Sequence, residues 1–127
     1  MAGIHVYNKN SETYEGKNVY DITRPSILSN PYTHIQDSHR TRAQYIVKNR
    51  DTAIEKYNHY FDVMYSGNVE FKSAVDEIYE KYKNGEEVFL GCWCHPKLCH
   101  GDVIKQKLEQ RLVKEKLKEH ERNSNNA

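Results

Sequence analysis

The stretch EVFLGCWCHPKLCHGDVI, residues 87–104, decides the fold. It opens with an apolar run from Val88 to Cys92, which is typical of a short buried strand. Pro96 ends that strand, and the apolar spacing that begins at Val103 predicts an amphipathic helix. Strand, tight loop and helix N-terminus therefore follow one another, and this junction is the usual ligand-binding edge of an α/β sheet.

Outward from this stretch, the hydrophobic pattern predicts two more strands and two helices. Residues 3–8 and 18–23 have the apolar pattern of strands. Residues 41–65 and 71–82 carry apolar side chains at helical spacing, and the first segment forms either one long helix or two helices with a break near 48–52. We therefore expect a small, compact Rossmann-like α/β fold, with a partly parallel sheet of about three to four strands flanked by helices.

The domain organisation and the composition are those of a small soluble protein. We expect one α/β domain over residues 1–120 and a flexible tail over 121–127. The net charge of +1 argues against bulk nucleic-acid binding, and no apolar run approaches the roughly 20 residues that cross a bilayer. A cytoplasmic location follows, in which the three cysteines stay reduced. Ten tyrosines predict a partly aromatic core and make a homodimer a plausible assembly.

Three hypotheses account for the reactive side chains of the cysteine-rich stretch. In the first, it lines a ligand pocket, and the contacting residues are Cys92, Trp93, Cys94, His95, Cys99, His100, Gly101 and Asp102. If the protein is an enzyme, Cys99, His100 and Asp102 are the candidate nucleophile and acid–base groups. In the second, zinc binds to soft sulfur and imidazole ligands, namely Cys92, Cys94, Cys99 and either His100 or His95. In the third, the cysteines and Trp93 only pack the sheet edge.

Local geometry adds two expectations for the same stretch. Strand alternation places Cys92 and Cys94 on one side and Trp93 on the other. Gly101 or Asp102 is the expected N-cap of the last helix, and the free N–H groups from Gly101 to Val103 would hold a phosphate.

A second loop, TRPSILSNPY at residues 23–32, follows the second strand and is expected at the same sheet edge. Arg24 is suited to a phosphate or carboxylate, because a guanidinium offers a planar fork of donors. Ser26 and Asn30 are suited to a sugar or a base edge, and Tyr32 to stacking on a ring. The alternative is a rigid loop in which Arg24 forms an ordinary salt bridge and Ser26 and Asn30 satisfy the turn backbone.

The two motifs together resemble those of domain-of-unknown-function 4326, a family of small proteins frequent in bacteriophage genomes. The first motif is Arg24-Pro25-Ser26 with Asn30-Pro31, and the second is CWCHPKLCHGDV, residues 92–103. The resemblance implies the architecture and the functional edge, but it implies no reaction.

From these observations we expect the protein to bind a nucleotide-derived small molecule between the two loops. Trp93 or Tyr32 would stack on the base. The phage setting, which only the resemblance supplies, suggests a counter-defence protein that sequesters a host immune signal in the host cytoplasm. That signal would be a cyclic dinucleotide or an ADP-ribose derivative. The alternatives are a Cys/His/Asp-dependent hydrolase or glycosyl-transferring enzyme on a similar substrate, and a zinc-stabilised interaction module.

Overall fold

A computed structural model of the protein describes residues 3–14, 16, 18–24, 26–33, 45–46, 48–93, 97 and 99–125. Strands and helices follow in the order β1 (Ile4–Asn8), β2 (Val19–Asp21), β3 (Tyr32–Thr33), β4 (Tyr45–Ile46), α1 (Arg50–Gly67), α2 (Val69–Lys83), β5 (Val88–Cys92) and α3 (His100–Asn125). The three strands predicted near residues 3–8, 18–23 and 88–92 are therefore present, and so are the helices expected between and after them.

The main sheet has three strands in the order β1-β5-β2, and both outer strands run parallel to β5. Asn8 pairs with Cys92 and Asp21 with Gly91, so the carboxyl ends of all three strands meet at one edge. Strands β3 and β4 form a separate parallel pair. The protein thus has a small α/β fold with a parallel sheet, as expected; its likeness to Rossmann folds stays a prediction.

The helix boundaries in the middle of the chain follow from side-chain caps. Asn49 accepts a hydrogen bond from the Thr52 amide at 2.8 Å and begins α1. Asn68 follows α1 and caps α2 by accepting from the Phe71 amide at 2.9 Å. Gly85, with a φ of 89°, follows the C-cap of α2 in the left-handed conformation that glycine adopts without strain.

The helix predicted over residues 41–65 is wrong in its first part. Helix α1 begins at Arg50, and Tyr45 and Ile46 form β4 by pairing with Tyr32 and Thr33. Aromatic and β-branched residues suit a strand, and pairing with β3 overrides the helical spacing. Residues 41–44 and 47 lie outside the described residues.

The core lies between the sheet and the helices. The fully buried side chains on the helix-facing side of β5 are Val88, Leu90 and Cys92, and α2 and α3 both contact this strand. Tyr57 and Tyr79 are also fully buried, which confirms the expected aromatic core. Each keeps a partner for its hydroxyl: Tyr57 donates to the Leu28 carbonyl at 2.6 Å and Tyr79 to Glu115 at 2.7 Å.

The last helix continues to Asn125, through most of the segment predicted as a tail, and its flexibility stays a prediction. In the part of the chain that the structure describes, none of the helices combines the length and the apolar character needed to cross a bilayer.

Candidate functional site

The two loops lie together at the carboxyl edge of the main sheet. His100, the first residue of α3, has its Nε2 atom 2.7 Å from the carbonyl oxygen of Ile22, which comes directly after β2. A Cβ atom on Gly101 would lie 3.0 Å from both Ile22 and Val6, so the helix start fits closely against the sheet. Arg24 is near enough to act electrostatically on His100. The described start of the Arg-Pro-Ser loop therefore lies close to the residues that follow the cysteine-rich loop.

Cys92 and Cys99 form a buried thiol pair. Their Sγ atoms are 3.5 Å apart and both residues are almost inaccessible. The hydrogen bond with Cys92 and burial raise the pKa of the Cys99 thiol well above its usual value. Since the thiolate is the reactive form, the described contacts favour packing over nucleophilic chemistry for Cys99.

Cys99, and not Gly101 or Asp102, is the N-cap of α3. Its Sγ atom accepts from the Gly101 amide at 3.3 Å, and the Asp102 carboxylate accepts from the Cys99 amide at 2.9 Å. This reciprocal pattern is a capping box in which a thiol replaces the usual hydroxyl. The Gly101 N–H expected to hold phosphate is therefore occupied within the chain.

His100 is held as a neutral side chain. Burial, together with the nearby Arg24, lowers the pKa of His100 to about 4, and the hydrogen bond to Ile22 only partly offsets this. Because a carbonyl oxygen can only accept, Nε2 carries the proton and donates a hydrogen bond to the Ile22 carbonyl. The ring also lies edge-on to Tyr57, with centroids 5.1 Å apart. The described contacts thus give His100 and Asp102 positioning roles, and their catalytic assignment stays a prediction.

The zinc hypothesis concerns four ligands, of which the structure describes Cys92, Cys99 and His100. Among the described residues, no group of three or more His, Cys, Asp or Glu side chains is arranged to hold a metal ion. Cys94 and His95 lie outside the described residues, so the predicted zinc set stays a prediction. The Nε2 atom of His100, which is one of the proposed ligand residues, is directed at the Ile22 carbonyl.

The Arg-Pro-Ser loop is stabilised by its own polar side chains. Arg24 donates to the carbonyl oxygens of Asn30 at 2.8 Å and Tyr32 at 3.2 Å. Asn30 is buried, accepts from the Tyr32 amide at 2.9 Å and donates to the Ala53 carbonyl at 3.2 Å. Ser26 accepts from the Leu28 amide at 3.2 Å. Ser26 and Asn30 thus satisfy turn backbone, as the structural alternative expected, while ligand contacts by this loop stay a prediction.

Three residues at the same edge were missed by the sequence analysis: Lys9, Asp21 and Thr23. The Lys9 ammonium lies 2.6 Å from Asp21 Oδ2 and 4.5 Å from the centre of the Trp93 ring. The amide of Thr23 donates to Asp21 Oδ1 at 2.8 Å, and its hydroxyl also hydrogen-bonds to that oxygen. Each lies at or just after the end of β1 or β2, and that position was the available signal.

Charge and exposure distinguish this cluster from the buried thiols. Trp93 is 52% exposed, which confirms that it points away from buried Cys92. Burial opposes ionisation of Asp21, but hydrogen bonds from Lys9 and Thr23 hold the pKa of Asp21 below its usual value. The edge therefore presents an ionised carboxylate, an ammonium and an indole to the surroundings.

The sequence that forms this edge matches the model of one protein family. The family model described as "Domain of unknown function (DUF4326)" matches residues 4–110. The chain belongs to this family. The match covers the main sheet, both loops and the start of α3. No curated protein and no solved structure shows significant similarity to the chain.

Proposed function

We propose that the protein binds a nucleotide-derived small molecule at the carboxyl edge of the sheet, between the Arg-Pro-Ser loop and the cysteine-rich loop. The observation that carries this proposal is that the described residues of both loops lie at the carboxyl ends of three parallel strands. Ligands of open α/β sheets bind at this edge, since the strand ends and the following loops form a crevice there.

The chemistry of the edge suits a ligand with a ring and an anionic group. Trp93 offers exposed indole for stacking on a base. Arg24 is the cation that would face a phosphate, because the Gly101 and Asp102 amides of α3 are engaged in the cap of that helix. The counter-defence use, sequestration of a cyclic dinucleotide or ADP-ribose derivative, is part of this proposal and is motivated by the family resemblance alone.

Calorimetric titration with AMP, ADP-ribose and cyclic di-AMP tests the binding. The Arg24→Gln variant should bind the preferred nucleotide about tenfold or more weakly, because it loses a charged partner of the phosphate. Arg122→Gln removes the same charge from the exposed end of α3 and should bind normally. Circular dichroism confirms that each variant folds. Absence of binding to every nucleotide in the panel would refute the proposal.

Heat denaturation of the mixture distinguishes binding from catalysis. A bound ligand is released intact, whereas an enzyme returns a chemically altered nucleotide that mass spectrometry detects. We expect intact ligand from the protein and from its Cys99→Ala variant, because Cys99 is a buried cap residue. Conversion by the protein that disappears in Cys99→Ala would establish the enzymatic alternative.

A further inference from the structure

We infer that Asp21 and Trp93 form a ribonucleoside subsite, in which the Asp21 carboxylate accepts a hydrogen bond from a ribose hydroxyl and the indole stacks on the base. The inference rests on the function proposed above and specifies the ligand class: a nucleotide with a free ribose hydroxyl. Its basis is the juxtaposition of a fixed carboxylate and an exposed aromatic ring around the Lys9 ammonium.

Among the contacts that the described residues make, one acceptor position of Asp21 is left for a ligand. A carboxylate oxygen accepts about two hydrogen bonds. Oδ1 accepts hydrogen bonds from the amide and the hydroxyl of Thr23, whereas Oδ2 accepts one from the Lys9 ammonium. The side chain is 56% exposed, so solvent or a ligand reaches it. A hydroxyl group suits this oxygen better than a phosphate, because a phosphate would be repelled by the carboxylate charge.

Trp93 is oriented for stacking by contacts on its ring and its backbone. The Lys9 ammonium lies 4.5 Å from the ring centre, within the range of a cation–π contact. The Asn8 amide group donates to the Trp93 carbonyl at 3.2 Å, which ties the residue to the end of β1. An indole held in this way and half exposed is a stacking platform, since every nucleobase has a π face.

The two groups are close enough for one nucleoside to contact both. Since Lys9 Nζ contacts both, the Asp21 oxygen and the centre of the Trp93 ring are no more than about 7 Å apart. A nucleoside separates its sugar hydroxyls from the centre of its base by a comparable length. Asp21 and Trp93 can therefore contact the sugar and the base of the same ligand.

Intrinsic fluorescence tests the subsite directly, because Trp93 is the only tryptophan in the chain. Titration with AMP should change the emission of Trp93, as stacking on a base quenches an indole. The analogue 2′,3′-dideoxy-AMP should bind about tenfold or more weakly, because the carboxylate loses its hydroxyl donors. Equal affinity for both nucleotides, or AMP binding without any change in emission, would overturn the subsite.

The Asp21→Asn variant provides a second comparison. Its preference for AMP over the dideoxy analogue should fall to less than about threefold, because a neutral amide oxygen is the weaker acceptor. Glu87→Gln removes the same charge at the opposite, amino end of β5 and should keep the full preference. A preference that persists unchanged in Asp21→Asn contradicts the assignment. If this variant does not fold, the two nucleotides compared on the unmodified protein decide.

The outcomes also separate this inference from the proposed function. If calorimetry detects AMP binding, but Trp93 emission does not change and the dideoxy analogue binds equally well, the proposed nucleotide site stands and the subsite is refuted. Absence of binding to every nucleotide removes both.

Discussion

Gly91 shows how one residue controls the packing at the carboxyl edge of the main sheet. It lies in the central strand, and a Cβ atom there would come within 2.8 Å of the Tyr7 hydroxyl and 3.1 Å of Lys9 Cγ. Tyr7 is buried, and Lys9 is the ammonium between Asp21 and Trp93. The glycine therefore leaves room for the side chains that arrange the edge.

Gly91→Ala should lower the free energy of unfolding by about 1–3 kcal/mol, because Tyr7 and Lys9 must shift from their packed positions. Urea denaturation followed by circular dichroism measures the change. Gly67→Ala is the matched control: no atom lies within 4 Å of its added Cβ, and alanine in a helix gains up to about 1 kcal/mol. An unchanged stability of Gly91→Ala would show that the contact is relieved at no cost.

At the scale of elements, Arg111 joins the three described helices. From α3 it donates to Asp76 of α2 at 2.9 Å and to the Tyr65 hydroxyl of α1 at 3.1 Å. Its guanidinium carbon lies 3.9 Å from the centre of the Tyr79 ring. The helices are thus linked by one planar cation that combines hydrogen bonds with stacking.

Arg111→Met should lower the free energy of unfolding by about 1–2 kcal/mol, because methionine keeps apolar volume but removes the ionic partner of Asp76 and the cation over Tyr79. Lys114→Met replaces an exposed cation of the same helix and should stay within about 0.5 kcal/mol of the unmodified protein. Thermal denaturation of the two variants side by side measures the difference, and equal midpoints would contradict a stabilising role for Arg111.

At the scale of the whole molecule, the burial of His100 makes stability depend on pH. The pKa of this side chain is about 4 in the folded protein, against about 6.5 in an unfolded chain. Between these values the unfolded state binds more protons, so protonation favours unfolding. Stability should therefore fall as the pH decreases from about 6.5 to about 4, by on the order of 3 kcal/mol for this group.

The His100→Gln variant should lose most of this slope, because glutamine does not titrate and its amide is a candidate donor to Ile22. His59→Gln, at an exposed position of α1, should keep the slope. Urea denaturation at pH 7, 6, 5 and 4.5 measures it. The pKa values of three carboxyl groups are also lowered in the folded protein, those of Asp21, Asp76 and Glu115. These carboxylates stabilise the fold until the pH falls below the usual pKa range of a carboxyl group, so they contribute little to the slope between pH 7 and pH 4.5. An identical slope in His100→Gln would contradict the assignment.

Local sequence patterns were sufficient to predict the structure wherever one residue type or one spacing controls it. The buried apolar run of β5 and the helical spacing from Val103 onward follow from side chains near in sequence, and both predicted elements are present. Asp102 was singled out beside the helix start, but its position as the acceptor for the Cys99 amide was not predicted. Which neighbour becomes the cap depends on where the preceding loop meets the sheet.

By itself, the sequence determined an α/β fold and the edge at which both motifs lie, because hydrophobic period and strand–loop–helix order depend on local chemistry. Only the tertiary structure placed β5 between β1 and β2, turned Tyr45 and Ile46 into a strand and brought Lys9, Asp21 and Trp93 together. These features join residues far apart in the chain, and such contacts are decided by which strands pair and how closely the helices pack on them.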